Sequence, residues 1–270
     1  MFKKVCIVGV GRIGGSLGLA VKKRRLAKFV AGVCRRKSSA RDAAAAGAVD
    51  MATLDLREGV SGADLVILAG PVSTIEAQIK SLPKLLSKNA LVIDVGSSKG
   101  RIVTQAKKHL KKNKFIGCHP MAGLEKKGVL YSQECLFDGA VCFMTERNAT
   151  IERFWRSIGA RPIVIGAKAH DAWVAQFSHL PHALAFALFQ RSPKHPDSLK
   201  ASNPSLKDLS RISKSDPKLW ADIFDSNKSE LLRSLSNFSK DLRKLQSAIR
   251  RGRAASFIAN ANRISNSVSP

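Results

Sequence analysis

Val5-Cys6-Ile7-Val8-Gly9-Val10-Gly11-Arg12-Ile13-Gly14-Gly15-Ser16 decides how this chain folds. A short apolar run reads as a buried strand, and helix-compatible residues follow the glycines. Gly9, Gly11 and Gly14 take the G-x-G-x-x-G spacing between the two. The first permits the tight turn. The second lets backbone approach a pyrophosphate, and the third lets the helix pack on the strand. The helix N-terminus then turns free N–H groups and a positive dipole toward the anion. Arg12 and Ile13 complete this expected cofactor-binding turn.

Further strand-like runs follow at Phe29–Cys34, Asp64–Ala69, Ala90–Val95, Phe115–Gly117, Ala140–Thr145 and Arg161–Ile165. Ala/Lys-rich helical stretches separate several of them. Strands alternating with helices predict a Rossmann-like, doubly wound parallel sheet over residues 1–166. The pattern changes after Gly166. Ala169–Gln190 is apolar on all sides, which predicts a buried helix. A Ser/Pro/Lys/Asn-rich loop, Arg191–Ser205, precedes helices over Leu206–Ile212, Pro217–Asp225 and Ser226–Arg250, then a last one over Arg253–Arg263. An all-helical second domain is therefore expected over 167–270, with a frayed tail from Ile264. Asp216 before Pro217 reads as a helix N-cap.

Composition narrows the class. Hydrophobic residues make up 44% and charged residues 24% of the 270, as in a soluble globular protein. No apolar run is long enough to span a bilayer. The opening Met-Phe-Lys-Lys leads into a strand rather than a secretory leader, so a cytoplasmic protein is expected. The five cysteines lack CxxC spacing and read as reduced thiols. The net charge of +26 invites a nucleic-acid reading. The basic residues are dispersed, however, and one tyrosine offers no aromatic RNA platform, so nucleic acid is not the expected partner.

The second predicted strand ends in Cys34-Arg35-Arg36-Lys37. An NAD-selective site usually places an acid there, on the ribose 2′-hydroxyl. Cations instead suit a 2′-phosphate, so NADP is the expected cofactor and NAD the alternative, with Arg35, Arg36 and Lys37 on the phosphate. Two segments follow strands at the edge where ligands bind such sheets. They bring Ser97 and His119 toward the cofactor, and a histidine there can take a proton near neutral pH. His179 and His182 lie three apart on one helix face, but no third ligand has metal-site spacing, so no metal is expected.

DVGSSKG (Asp94–Gly100), GCHPMAGLEKKG (Gly117–Gly128), SHLPHALAFAL (Ser178–Leu188) and LKDLSRISKSDPKLWADI (Leu206–Ile223) resemble the successive motifs of prephenate and arogenate dehydrogenases. With VGVGRIGGSLG at the start, the resemblance covers nearly the whole chain. It implies oxidation of a 4-hydroxycyclohexadiene carboxylate with loss of carbon dioxide, in tyrosine biosynthesis. Prephenate would give 4-hydroxyphenylpyruvate; arogenate would give tyrosine. By the same resemblance His119 is the base on the substrate hydroxyl and Ser97 orients it. Arg211 grips a carboxylate, and Ser178, His182 and Glu125 line the substrate pocket. A homodimer through the helical domain is also implied. Two other classes compete. A β-hydroxyacid dehydrogenase would carry a catalytic lysine on the long helix, and Ala169–Gln190 has none. A non-catalytic NADP-binding protein would have no need of Ser97, His119 and Arg211.

Overall fold

A computed structural model describes residues 1–123, 128–190 and 204–266. The first half alternates β1 (Phe2–Val8), α1 (Arg12–Lys23), β2 (Ala27–Val33), α2 (Lys37–Ala45), β3 (Met51–Thr53), α3 (Leu56–Val60), β4 (Leu65–Leu68) and α4 (Val72–Ser81). It continues with β5 (Leu91–Asp94), α5 (Gly100–His109), β6 (Phe115–Pro120), β7 (Val141–Met144), α6 (Ala149–Ser157) and β8 (Arg161–Val164). The strands form one sheet in the order β3-β2-β1-β4-β5-β6-β7-β8. The order reverses beside β1, which opens the crevice between β1 and β4 where such sheets bind nucleotides.

β4 reads Leu-Val-Ile-Leu, and all four residues are buried, because a parallel strand is covered on both faces. One face packs with Leu17, Phe137 and Trp155; the other packs with Ile75, Ile79, Leu82 and Ile102. Helix α1 lies unusually close to the chain entering β3. A Cβ added at Gly18 would sit 2.0 Å from the Ala48 carbonyl oxygen.

Two features depart from the expected sheet. β3 did not register as a strand in the sequence, because it has only three half-buried residues. β7 runs antiparallel to β6, while β8 runs parallel to β7. A parallel neighbour needs a crossover element. Among the described residues the β6–β7 connection holds only a 3-10 turn, Val129–Tyr131, whereas α6 supplies a crossover between β7 and β8.

The second half is helical: α7 (Ala167–Val174), a π-helical turn (Ala175–His179), α8 (Leu180–Phe189), α9 (Pro204–Ser213), α10 (Pro217–Ser226), α11 (Lys228–Arg250) and α12 (Ala254–Asn266). Asp216 caps α10 as expected, accepting from the Leu219 N–H at 2.7 Å. Most of the loop expected over Arg191–Ser205 and the tail beyond Asn266 lie outside the described residues. The expectation of a buried α8 fails. Only Leu180 and Ala185 are buried there, and Leu188 is half exposed, because no element among the described residues covers the helix's outer side. No helix among the described residues is long and apolar enough to cross a membrane.

The Gly18 contact gives a direct test. Gly18→Ala forces α1 away from the Ala48 backbone and is expected to cost about 1–3 kcal/mol, read as a lower thermal midpoint. An unchanged midpoint would show that the close approach is not needed.

Candidate active site

The crevice at the end of β1 fits a dinucleotide. Gly9 has φ of 101°, and a Cβ there would press on Ala69. A Cβ on Gly14 would lie 2.2 Å from the Gly9 carbonyl oxygen, so only glycine lets α1 start here. A Cβ on Gly11 would meet nothing within 4 Å; it would project into the open space that a pyrophosphate needs. The first turn of α1 has no acidic residue and no side-chain cap. At the end of β2, Arg35, Arg36 and Lys37 are exposed. Arg36 is the N-cap residue of α2, which likewise has no side-chain cap and no acid in its first turn.

One buried ion pair builds the chemistry end. Asp94 closes β5, and Lys99, five residues on, folds back onto its carboxylate. Lys99 also donates to the Cys118 carbonyl at 2.8 Å, while Asp94 accepts from the N–H groups of Gly96 at 2.8 Å and Cys118 at 3.2 Å. Burial pushes the Asp94 carboxyl up, and Lys99 with these donors pulls it back. The clamp fixes the loop carrying Ser97 beside the end of β6, which carries His119. Both residues are half-buried.

Helix α7 completes the arrangement, and its residues went unnoticed in the sequence. His119 Nδ1 lies 2.9 Å from His170 Nε2, and His170 Nδ1 lies 2.8 Å from Asp171 Oδ1. Asp171 also accepts from the N–H groups of Lys99 and Gly100, each at 2.7 Å. The helical half therefore caps α5, a role Ser97 was free to take and does not. Asn227 donates to the Asp171 carbonyl at 2.8 Å and lies 3.3 Å from His179 Nδ1. These partners had no sequence signal, because they lie far apart along the chain and meet only where α7 packs on the sheet domain.

Ser178 is half-buried on the π turn. His182 stacks on Trp220, with centroids 3.6 Å apart, and donates from Nδ1 to the Ser178 carbonyl at 2.9 Å. Arg211, on α9, faces His182 closely enough to help lower its pKa, after burial. Glu125 lies outside the described residues. Among the described residues no group of three or more His, Cys, Asp or Glu side chains could hold a metal.

The imidazoles are poised neutral. Burial, then His170, Lys99 and His179, holds His119 well below the usual histidine range. Burial lowers His170 despite Asp171, and lowers His179 to about 4. Burial alone would raise Asp171, but the donors from His170, Lys99 and Gly100 win and bring it below the usual range.

A dinucleotide crevice, a histidine at the end of β6 in the same sheet and a helical second half define a nicotinamide-dependent dehydrogenase of two domains. Residues 17–164 match the nucleotide-binding domain of prephenate dehydrogenase, and residues 166–262 match its dimerization domain, so the chain belongs to the prephenate dehydrogenase family. It is 34% identical to a prephenate dehydrogenase of Lactococcus lactis, over 89% of this chain and 69% of that one. It superposes on the crystal structure of prephenate dehydrogenase from A. aeolicus in complex with hydroxyphenyl propionate and NAD+, with a TM-score of 0.92 and 31% identity, covering 100% of this chain and 99% of that one. The Synechocystis arogenate dehydrogenase structure matches with a TM-score of 0.84 and 28% identity, over 98% and 100% of the two chains.

The neutral imidazoles have a consequence for stability. His179 binds its proton at about 4 when folded and near 6.5 when unfolded. A depressed folded value makes its contribution full above 6.5 and lost as pH falls toward 4, because the unfolded chain takes up the proton first. The thermal midpoint should fall as pH drops through that window, and His179→Gln should flatten the fall. A midpoint constant from pH 6.5 to 4.5 would contradict the buried neutral assignment.

Proposed function

We propose that the protein oxidatively decarboxylates prephenate to 4-hydroxyphenylpyruvate, with residues 1–166 holding the dinucleotide and 167–270 closing over the substrate and pairing two subunits. The observation that carries this reading is His119, half-buried at the end of β6 and hydrogen-bonded to the helical domain that bears Ser178, His182 and Arg211. His119 takes the proton of the substrate's ring hydroxyl as hydride leaves the same carbon. Ser97 holds that hydroxyl in line. The nicotinamide, when bound, accepts the hydride. Arg211 meets a substrate carboxylate with its planar fork, and Ser178 and His182 line the pocket beside it.

The ring carboxylate then departs as carbon dioxide. Its bonding pair enters the ring, and the phenolate oxygen recovers a proton from His119. Aromatisation makes the step effectively irreversible, and the base returns neutral. A histidine kept below its ordinary range is in the basic form across the physiological window.

The cofactor we propose is NADP. No acid ends β2; Arg35 and Arg36 stand there at the start of α2 instead, where a 2′-phosphate would find guanidinium and free N–H groups. NAD is the second reading, because the A. aeolicus complex contains NAD+. Arogenate is the second substrate reading, on the likeness to the Synechocystis enzyme. The five free thiols, four of them buried, suit the reducing cytoplasm.

Purified protein supplied with each substrate and each cofactor should reduce nicotinamide fastest with prephenate and NADP. His119→Ala should bind cofactor normally and lose about 10²- to 10⁴-fold in kcat; near-normal turnover would remove it as the base. Arg35→Asp should move the kcat/KM ratio toward NAD, and an unchanged ratio would refute the phosphate contact.

A further inference from the structure

We infer that His170 and Asp171 are positioning residues that set the tautomer of His119, so that the helical domain primes the base in the sheet domain. The inference rests on the proposed role of His119 and goes beyond it. Hydrogen-bond bookkeeping carries the argument. Asp171 accepts two backbone N–H bonds and one from His170, so its carboxylate acts as acceptor throughout. His170 must therefore carry a hydrogen on Nδ1. Fully buried, with its pKa lowered by that burial, it stays neutral and carries none on Nε2. That nitrogen is then an acceptor, and the hydrogen in the 2.9 Å contact belongs to His119 Nδ1. The remaining nitrogen of His119, Nε2, is left with its lone pair and is the atom that receives the substrate's proton.

The opposite tautomer would set two lone pairs against each other at 2.9 Å and put a hydrogen where the base is needed. Once His119 is protonated, its Nδ1–H stays on His170, and the Asp171 charge lies one ring away. A carboxylate that orients an imidazole and steadies its cation is the logic of serine-hydrolase triads. Here a second imidazole is interposed. The ion pair of Lys99 with Asp94 and the ring of His179 also face this cluster, but neither is hydrogen-bonded to His119. Asp171 simultaneously caps α5, so the acid that orients the base is also a strut between the domains.

The test uses the full chain with both ligands. His170→Phe keeps a ring against Phe143, a T-shaped neighbour at 5.6 Å, and removes the acceptor. It should lower kcat by about 10- to 100-fold, with KM and the cofactor Kd within about twofold of wild type. His170→Gln, whose side-chain carbonyl can accept the same hydrogen, should recover most of that loss. Equal losses in the two variants, or an unaltered kcat in His170→Phe, would overturn the inference. An independent readout needs no variant: in protein with ¹⁵N-labelled histidine, His119 should be the Nδ1–H tautomer, and finding Nε2–H would refute it. If His119→Ala still turns over, the base assignment has failed instead. If His119→Ala is dead and His170→Phe is unaffected, only the positioning role has.

Discussion

A carboxylate with no water around it needs a counter-charge and donors, and Asp94 finds both within its own loop. Lys99 folds back over five residues to meet it, and two backbone N–H groups use its remaining lone pairs. Burying such a pair is expensive, and it is tolerated only when the geometry leaves nothing unsatisfied. The ammonium also reaches the Cys118 carbonyl, so one small cluster ties the ends of β5 and β6 together. Neighbouring strands pair only as far as Asp94 and Gly117 there. Beyond that point the ion pair, rather than the β5–β6 ladder, holds the loop that carries Ser97 against the end of β6.

The same loop receives the second domain. Asp171 reaches across to the N–H groups of Lys99 and Gly100, and Asn227 holds the Asp171 backbone from the far side. Farther out, Arg101 of α5 bridges Glu76 of α4 and Asp225 of α10. Ser98 and Ser226 share a buried hydroxyl bond. These contacts are polar and directional. They specify one relative placement of the two halves, which an apolar contact alone would leave free to slide.

Much of the sheet was legible because parallel strands buried on both faces write themselves as continuous apolar runs. The glycine spacing likewise reads as chemistry, because Gly9 and Gly14 occupy positions where a Cβ would strike backbone. Strand direction is not written in composition, so the reversal at β7 was invisible. His119 and Ser97 were legible because ligand-facing residues gather at strand ends. His170 was not: it meets His119 across 51 residues of chain, from a helix whose residue spacing points to no site. The exposure of α8 was missed for a related reason. An all-apolar helix announces that it will be covered, but not whether its own chain does the covering.

The π turn over Ala175–His179 has a consequence for how this segment tolerates change in length. An α-helix advances about 100° per residue, and a wider turn absorbs one residue more than the regular ladder would. Loss of a single residue there would draw α7 and α8 toward one regular helix, broken only at Pro181, which has no N–H to donate to the preceding turn. Everything downstream would swing about the axis by roughly that angle, turning His182 and the Trp220 ring stacked on it together relative to His170 on α7. For this stretch of chain, residue count governs aim as firmly as residue identity does.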